Sequence, residues 1–131
     1  MRLKMVPKTQ LSQQQAVHLR QRIAHPIHAG DAVASGWDHT DNGMVAFVRT
    51  EDDLPIGIAD VSGLAVVNPA WWLDLDYRGQ GYGNDLVDLI GDYIDSIHAK
   101  LGNMVIQTKN REYDEQSTKL VKRLRARFPL S

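Results

Sequence analysis

The residues best suited to chemistry form a glycine-rich turn, Tyr77-Arg78-Gly79-Gln80-Gly81-Tyr82-Gly83, between an apolar, β-prone run and a strong amphipathic helix. The first turn of a helix presents backbone N–H groups with no partner inside the helix, and the helix dipole adds partial positive charge there. Glycines let the backbone take positive φ and let a ligand approach closely. Such a turn suits phosphate oxygens. Arg78 either adds a charge-assisted bond to them or braces the loop. Two common phosphate patterns are excluded. There is no Gly-x-x-x-x-Gly-Lys-Ser/Thr loop, and the dinucleotide spacing counted from Gly79 and Gly81 requires glycine where Asn84 stands. What remains is Arg-x-x-Gly-x-Gly, carried by Arg78, Gly81 and Gly83.

The elements that must position this turn are legible on either side of it. Leu86, Ile90, Tyr93, Ile94, Ile97 and Leu101 recur on one face of the helix that follows, with Asp85, Asp88, Asp92 and Asp95 on the solvent side and Gly102 as its C-cap. Upstream, Leu64–Val67 and Trp71–Leu73 read as two short strands broken at Asn68-Pro69. Met44–Thr50 and Leu54–Val61 flank the polar turn Glu51-Asp52-Asp53 and predict an antiparallel hairpin. Arg2–Lys8 reads as a short first strand. Ser12 and Gln15 fit a capping box opening a helix that Pro26 stops, with Ala16, Leu19 and Ile23 at helical spacing. Residues 28–43 read as loop or broken helix. Met104–Thr108 predicts another strand, and Asn110 leads into a last helix carrying Ser117, Leu120, Leu124 and Phe128. An antiparallel start followed by strand, helix, strand and helix means a mixed α/β domain.

The chain has 131 residues, 43% apolar and 24% charged, which fits one globular domain spanning 1–131. With no cysteine, disulfides, thiolate metal sites and thiol catalysis are excluded, and no metal site is expected. A net charge of −1 argues against nucleic-acid binding. No apolar run approaches the roughly 20 residues of a membrane span, so the chain reads as cytoplasmic. The charge is polarised nonetheless. Residues 74–95 hold six aspartates with Arg78 as the only base, whereas the stretch from Lys109 onward holds seven bases and three acids. The basic final helix reads as a solvated face, with an anionic ligand or partner as the alternative.

Taken together, Trp71–Gly83, reading WWLDLDYRGQGYG, resembles the fourth strand and pyrophosphate turn of the GNAT family of N-acetyltransferases, whose acyl-CoA signature is Gln/Arg-x-x-Gly-x-Gly/Ala. Trp71, Leu73, Tyr77, Arg78, Gly79, Gly81 and Gly83 fall in register, while Leu75 stands where proline is usual. The element order from about residue 1 to 128 also resembles that family's. The resemblance implies an acyl-CoA N-acyltransferase-like fold, a central mixed sheet flanked by helices, and direct attack of an amine on the thioester of acetyl-CoA. It implies that backbone groups of Trp71, Trp72 and Leu73 pair with the pantetheine arm, with a Leu73 N–H meeting the oxyanion. Backbone N–H groups of Arg78, Gly79, Gln80, Gly81, Tyr82, Gly83 and Asn84 would hold the pyrophosphate, and Asn110 matches the asparagine of a second CoA-contacting motif.

The resemblance leaves the catalytic groups unassigned. The family's usual acid, a tyrosine seven residues after that asparagine, is replaced by Ser117, and Tyr113 sits one turn earlier. For the base, Asp60, Asp74 and His39 are candidates, since Val67-Asn68-Pro69 carries no carboxylate. The two strands that family members add after the last helix are absent from this sequence. A sheet edge left open invites pairing with another chain, so a homodimer is expected, with Phe128 and Leu130 in the contact. The expected acceptor is a small-molecule, protein or peptide amine. A shortened domain that binds CoA or a protein without catalysis is the alternative, and a small interaction domain whose glycine turn is only structural is a third reading.

Overall fold

The computed structural model describes residues 1–29, 31–62, 66–67, 69–102 and 115–129. Its elements run β1 (Leu3–Pro7), α1 (Gln13–Ala24), α2 (Ala32–Gly36), β2 (Met44–Arg49), β3 (Pro55–Asp60), β4 (Val66–Val67), β5 (Ala70–Leu73), α3 (Tyr82–Ser96), β6 (Lys100–Leu101) and α4 (Glu115–Arg127). β1, β2, β3 and β5 make a four-stranded antiparallel sheet in that order, and β4 pairs in parallel with β6. The predicted strand at 104–108 and Asn110 and Tyr113 lie outside the described residues.

Period-2 alternation along β2 decides what packs where. Val45 and Phe47 face α3 and α4, joining Leu3, Ile56, Leu86, Ile90, Ile94 and Leu124 in one core layer. Met44, Ala46 and Val48 face the other way, against Leu19 of α1, Ala34 of α2, Trp37 and Trp72. Each such fully buried aliphatic side chain contributes about 1.5–3 kcal/mol relative to exposure. The β2–β3 register slips between Phe47 and Val48, a bulge that lets Ile56 join the α3 layer two residues from Ile58, which faces α1.

α1 starts where the capping box places it: Gln15 N–H donates to Ser12 Oγ at 3.1 Å, and Ser12 N–H donates to Gln15 Oε1 at 2.9 Å. The stretch read as loop or broken helix contains the five-residue α2, capped by Asp31 accepting from Val33 and Ala34.

The far end of α3 differs from the sequence reading. The helix stops at Ser96, so Leu101 belongs to β6 and Gly102 is not its cap. His98 turns the chain with φ 54. Its N–H donates to the Asp95 carbonyl, and the Ala99 N–H donates to the Ile94 carbonyl. This is a Schellman ending with histidine where glycine is usual.

The two charged stretches meet each other. Arg123 forks onto Asp88 with both bonds at 2.8 Å, and Arg127 reaches Asp92 at 3.1 Å and Asp95 at 2.6 Å. Those aspartates are therefore bridged to α4 rather than simply solvated, and these two arginines are engaged within the chain. Gly83 and Gly91 of α3 make the approach feasible. A Cβ on Gly83 would stand 3.0 Å from Leu120, and one on Gly91 would collide with the Arg127 guanidinium at 2.5 Å.

Candidate functional site

β4 and β5 follow closely in the chain, yet they pair with different neighbours in different sheets. Val66 and Val67 pair with Lys100 and Leu101, while Ala70 through Leu73 pair with Asp60 through Gly57 of β3. Past the break at Pro69 the chain leaves β6, so β5 is the last strand of its sheet and its second edge is unpaired among the described residues. This notch runs toward the glycine turn.

Strand parity decides which backbone groups face the notch. The Asp74 N–H donates to the Ile56 carbonyl at 2.8 Å, so Trp72, two residues earlier and opposite Ile58, also directs its peptide groups to β3. Trp71 and Leu73 present theirs to the open edge. Trp72, grouped with them in the sequence, has both its backbone and its ring committed to the fold, the ring meeting His28 edge-on at 4.8 Å. Trp71 lies on the α3 face, half-buried. The Leu73 carbonyl accepts from Arg78 Nε at 2.8 Å, so Arg78 braces the strand from its own turn.

The turn itself has the expected backbone. Gly79 (φ 76) and Gly81 (φ 85) are both left-handed, and Gly81 is the N-cap of α3 with no side-chain cap. Residues 78–81 are exposed, whereas Tyr82 is buried in the α3 layer. Gln80 Nε2 donates back to the Asp76 carbonyl at 3.0 Å. Gly83 serves two ends, following the turn and receiving Leu120.

Asp74 is not placed as a general base. It is 1% exposed and takes a bidentate fork from Arg22 at 2.7 and 2.8 Å, while its Oδ1 also accepts from the Asp76 N–H at 3.2 Å. Burial by itself would raise its pKa, but the Arg22 bonds and the Asp76 N–H outweigh that and hold the carboxyl below the usual range. A carboxylate so stabilised is a poor proton acceptor; here it clamps α1 to the end of β5. The sequence missed Arg22 and His28 as members of this cluster, because only the fold brings α1 to residue 74. His28 Nδ1 lies 2.7 Å from the Arg22 carbonyl, and its Nε2 accepts from the Leu75 N–H at 3.2 Å. A carbonyl only accepts, so Nδ1 carries a proton.

The other candidates are spread out. Asp60 ends β3, opposite Ala70 in register, with Oδ1 accepting from Ser62 N–H at 2.9 Å. Ser117 is partly buried on α4, and His39 is exposed in a turn. Among the described residues no cluster of three or more metal-ligating side chains occurs, and no helix is long and apolar enough to cross a membrane. A shallow groove of about 560 Å³ lies elsewhere, lined by Lys4, Val6, Ser12, His18 and Asp53.

No family model matches the chain, and no curated protein matches it in sequence. Solved structures do match in shape. An acetyltransferase from Agrobacterium tumefaciens str. C58 superposes with a TM-score of 0.62 at 18% identity, covering 94% of this chain and 78% of that one. A proposed ribosomal-protein-serine acetyltransferase from Vibrio cholerae gives 0.64 at 17% identity, covering 95% and 79%. A spermidine N-acetyltransferase chimera from Vibrio cholerae and hSSAT gives 0.64 at 11% identity, covering 95% and 80%. The chain has the GNAT-like, acyl-CoA N-acyltransferase-like fold.

Proposed function

We propose that this chain binds acetyl-CoA in the notch beside β5 and transfers the acetyl group to an amine. The observation that carries the reading is the splay of β4 from β5, ending in a glycine turn that caps a helix with backbone groups alone. An amide-bearing pantetheine arm adds to an open strand edge as a peptide does, here through Trp71 and Leu73. The N–H groups from Gly79 to Asn84 receive the diphosphate, the Arg78 N–H being bonded to the Leu75 carbonyl at 3.2 Å. Asn110 supplies the second CoA contact that the sequence pattern implies.

The reaction is attack of the neutral amine on the thioester carbonyl, collapse of the tetrahedral intermediate, and departure of CoA thiolate. The Leu73 N–H, on the open edge, is the donor suited to the oxyanion. Asp60 is the carboxylate for proton removal from the amine, directly or through water: its register partner Ala70 marks the splay, and one of its oxygens is not needed by Ser62. Ser117 or Tyr113 delivers a proton or hydrogen bond to the thiolate. The acceptor is an amine, small or peptide-borne; the α3 aspartates do not select its charge, Asp88, Asp92 and Asp95 being bridged to α4 and Asp85 to Arg2. A second reading, a domain that holds CoA without turnover, is favoured by the commitment of Asp74 to a clamp.

Calorimetric titration with acetyl-CoA tests the binding step, with micromolar affinity at one site per chain expected. Release of CoA thiol over a panel of amines then separates transferase from binder. Asp60→Asn should lower that rate at least about a hundredfold, the low end for a general base, with acetyl-CoA affinity unchanged. No binding at millimolar acetyl-CoA would sink both readings.

A further inference from the structure

The glycine turn is held from behind by a residue that the reaction does not use. Arg2, just before β1, donates from Nη1 to the Gln80 carbonyl at 3.1 Å and from Nε to Asp85 Oδ2 at 3.1 Å. Its guanidinium carbon lies 4.3 Å from the centroid of the Tyr82 ring. Its Nη2 is 3.0 Å from where a Cβ on Gly81 would stand. Tyr82 in turn meets Tyr77 edge-on with centroids 6.3 Å apart, and Arg49 stacks on Tyr77 at 5.1 Å. The residues on either side of the turn are thus braced by Arg2, just before β1, and by Arg49 of β2.

The bond to Gln80 has a geometric consequence. A trans peptide is planar, so the Gln80 carbonyl and the Gly81 N–H point in opposite directions, and the described chain has no cis peptide. Whatever fixes that carbonyl also aims that N–H. Glycine populates both signs of φ about equally well, so Gly81 by itself does not fix the plane of the preceding peptide. Asp85 holds the guanidinium in place and offsets its charge, which leaves geometry as the main effect of Arg2 on an anion.

We propose that Arg2 is a positioning residue for the anion-binding turn: by holding the Gln80 carbonyl it directs the Gly81 N–H to the open side, where the diphosphate of an acyl-CoA lies. The proposal rests on the reading of the turn as a CoA site and adds a residue remote from the motif.

The test compares Arg2→Ala and Arg2→Lys with the parent chain, each carrying its N-terminus unextended. Acetyl-CoA affinity is measured at low and high ionic strength, and the Gly81 amide is followed by NMR in the ligand-free proteins. Arg2→Ala should weaken binding about tenfold, the scale of one charged hydrogen bond. The loss should persist at high salt, where a simple charge effect is screened. The Gly81 amide should shift and exchange faster. Arg2→Lys, able to serve Gln80 but not Asp85 at once, should recover part of the affinity. Unchanged affinity, or a loss that disappears in salt, overturns the proposal while leaving the CoA reading intact. Should the parent bind no acetyl-CoA, that reading fails by itself and the Gly81 amide decides: an unmoved resonance in Arg2→Ala overturns the positioning role, and a shifted one supports it. If Arg2→Ala does not fold, Arg2→Lys and Asp85→Asn carry the same comparison, each expected to weaken binding by a smaller factor.

Discussion

Gly81 and Asp74 show how differently two residues of one short segment are constrained. At Gly81 the backbone sits at φ 85, where a β-branched residue is a severe outlier and any side chain costs about 1–2 kcal/mol. The nearest atom to an added Cβ is the far end of Arg2, so space is not the obstacle. Gly81→Val should therefore leave the fold largely intact, lower the melting temperature by a few degrees, and weaken acetyl-CoA binding at least tenfold by calorimetry, on the scale of losing one charged hydrogen bond. At Asp74 the constraint is electrostatic. Its pKa is lowered in the fold relative to an ordinary value of about 3.9, so its contribution to stability is complete above that value and is lost as pH falls through the lower folded pKa. Asp74→Asn should cost about 2 kcal/mol at neutral pH, below the range for a fully buried pair because Arg22 is partly exposed. It should also flatten the acid limb of stability, read by urea denaturation between pH 2 and pH 6.

The ends and flanks of α3 set the scale of the element. His98 occupies the left-handed C′ position of the Schellman ending and is exposed, so the strain of a Cβ there is not compensated by packing. His98→Gly should raise stability by about 0.5–1 kcal/mol, the αL penalty less the added chain entropy of glycine. An unchanged or lower denaturation midpoint would show that the histidine side chain makes up the difference. On its flank, α3 accepts α4 through one buried stripe, with Gly83, Val87 and Gly91 at spacing of four and arginines outside it. Asp88 is held below its usual range chiefly by its bonds to Arg123, so this pairing also weakens as the carboxyl protonates in acid. Asp88→Asn should lower stability by about 0.5–1 kcal/mol, less at high salt, since the pair is half-exposed.

For the whole molecule, the open question of association follows from edges. β1 and β5 are the outer strands of the four-stranded sheet; unpaired backbone groups at an edge invite another chain, and with the β5 edge proposed for acetyl-CoA the β1 edge is the one left to a partner. A homodimer formed through an edge is the expected state, with the mass in solution near twice the chain mass at micromolar concentration; a single species of chain mass would exclude it. Layering at this scale was readable in advance where hydrophobic spacing was regular. Ser12 with Gln15 predicted the start of α1, and β-prone runs on either side of a polar turn predicted the β2–β3 hairpin. It was not readable where two signals compete. Leu101 continued the apolar period of α3, yet His98 ended the helix five residues earlier, because main-chain bonds to Ile94 and Asp95 close the turn without glycine.

By itself the sequence determined local matters: the glycine turn, the start of the helix that follows it, the cap of α1, and the separation of two short strands on either side of Pro69. These depend on backbone sterics and near-neighbour spacing, which a linear chain displays. The tertiary structure decided what depends on approach between distant segments. It set the acidic face of α3 against the arginines of α4, turned Asp74 from a candidate base into a clamp for Arg22, and gave Trp72 to the core and Trp71 and Leu73 to the open edge. It also brought Arg2 to Gln80. Opposite charges far apart in sequence have no partner until packing places them a few ångströms apart, and the same carboxylate is a base in water or a tether in a salt bridge according to that distance alone.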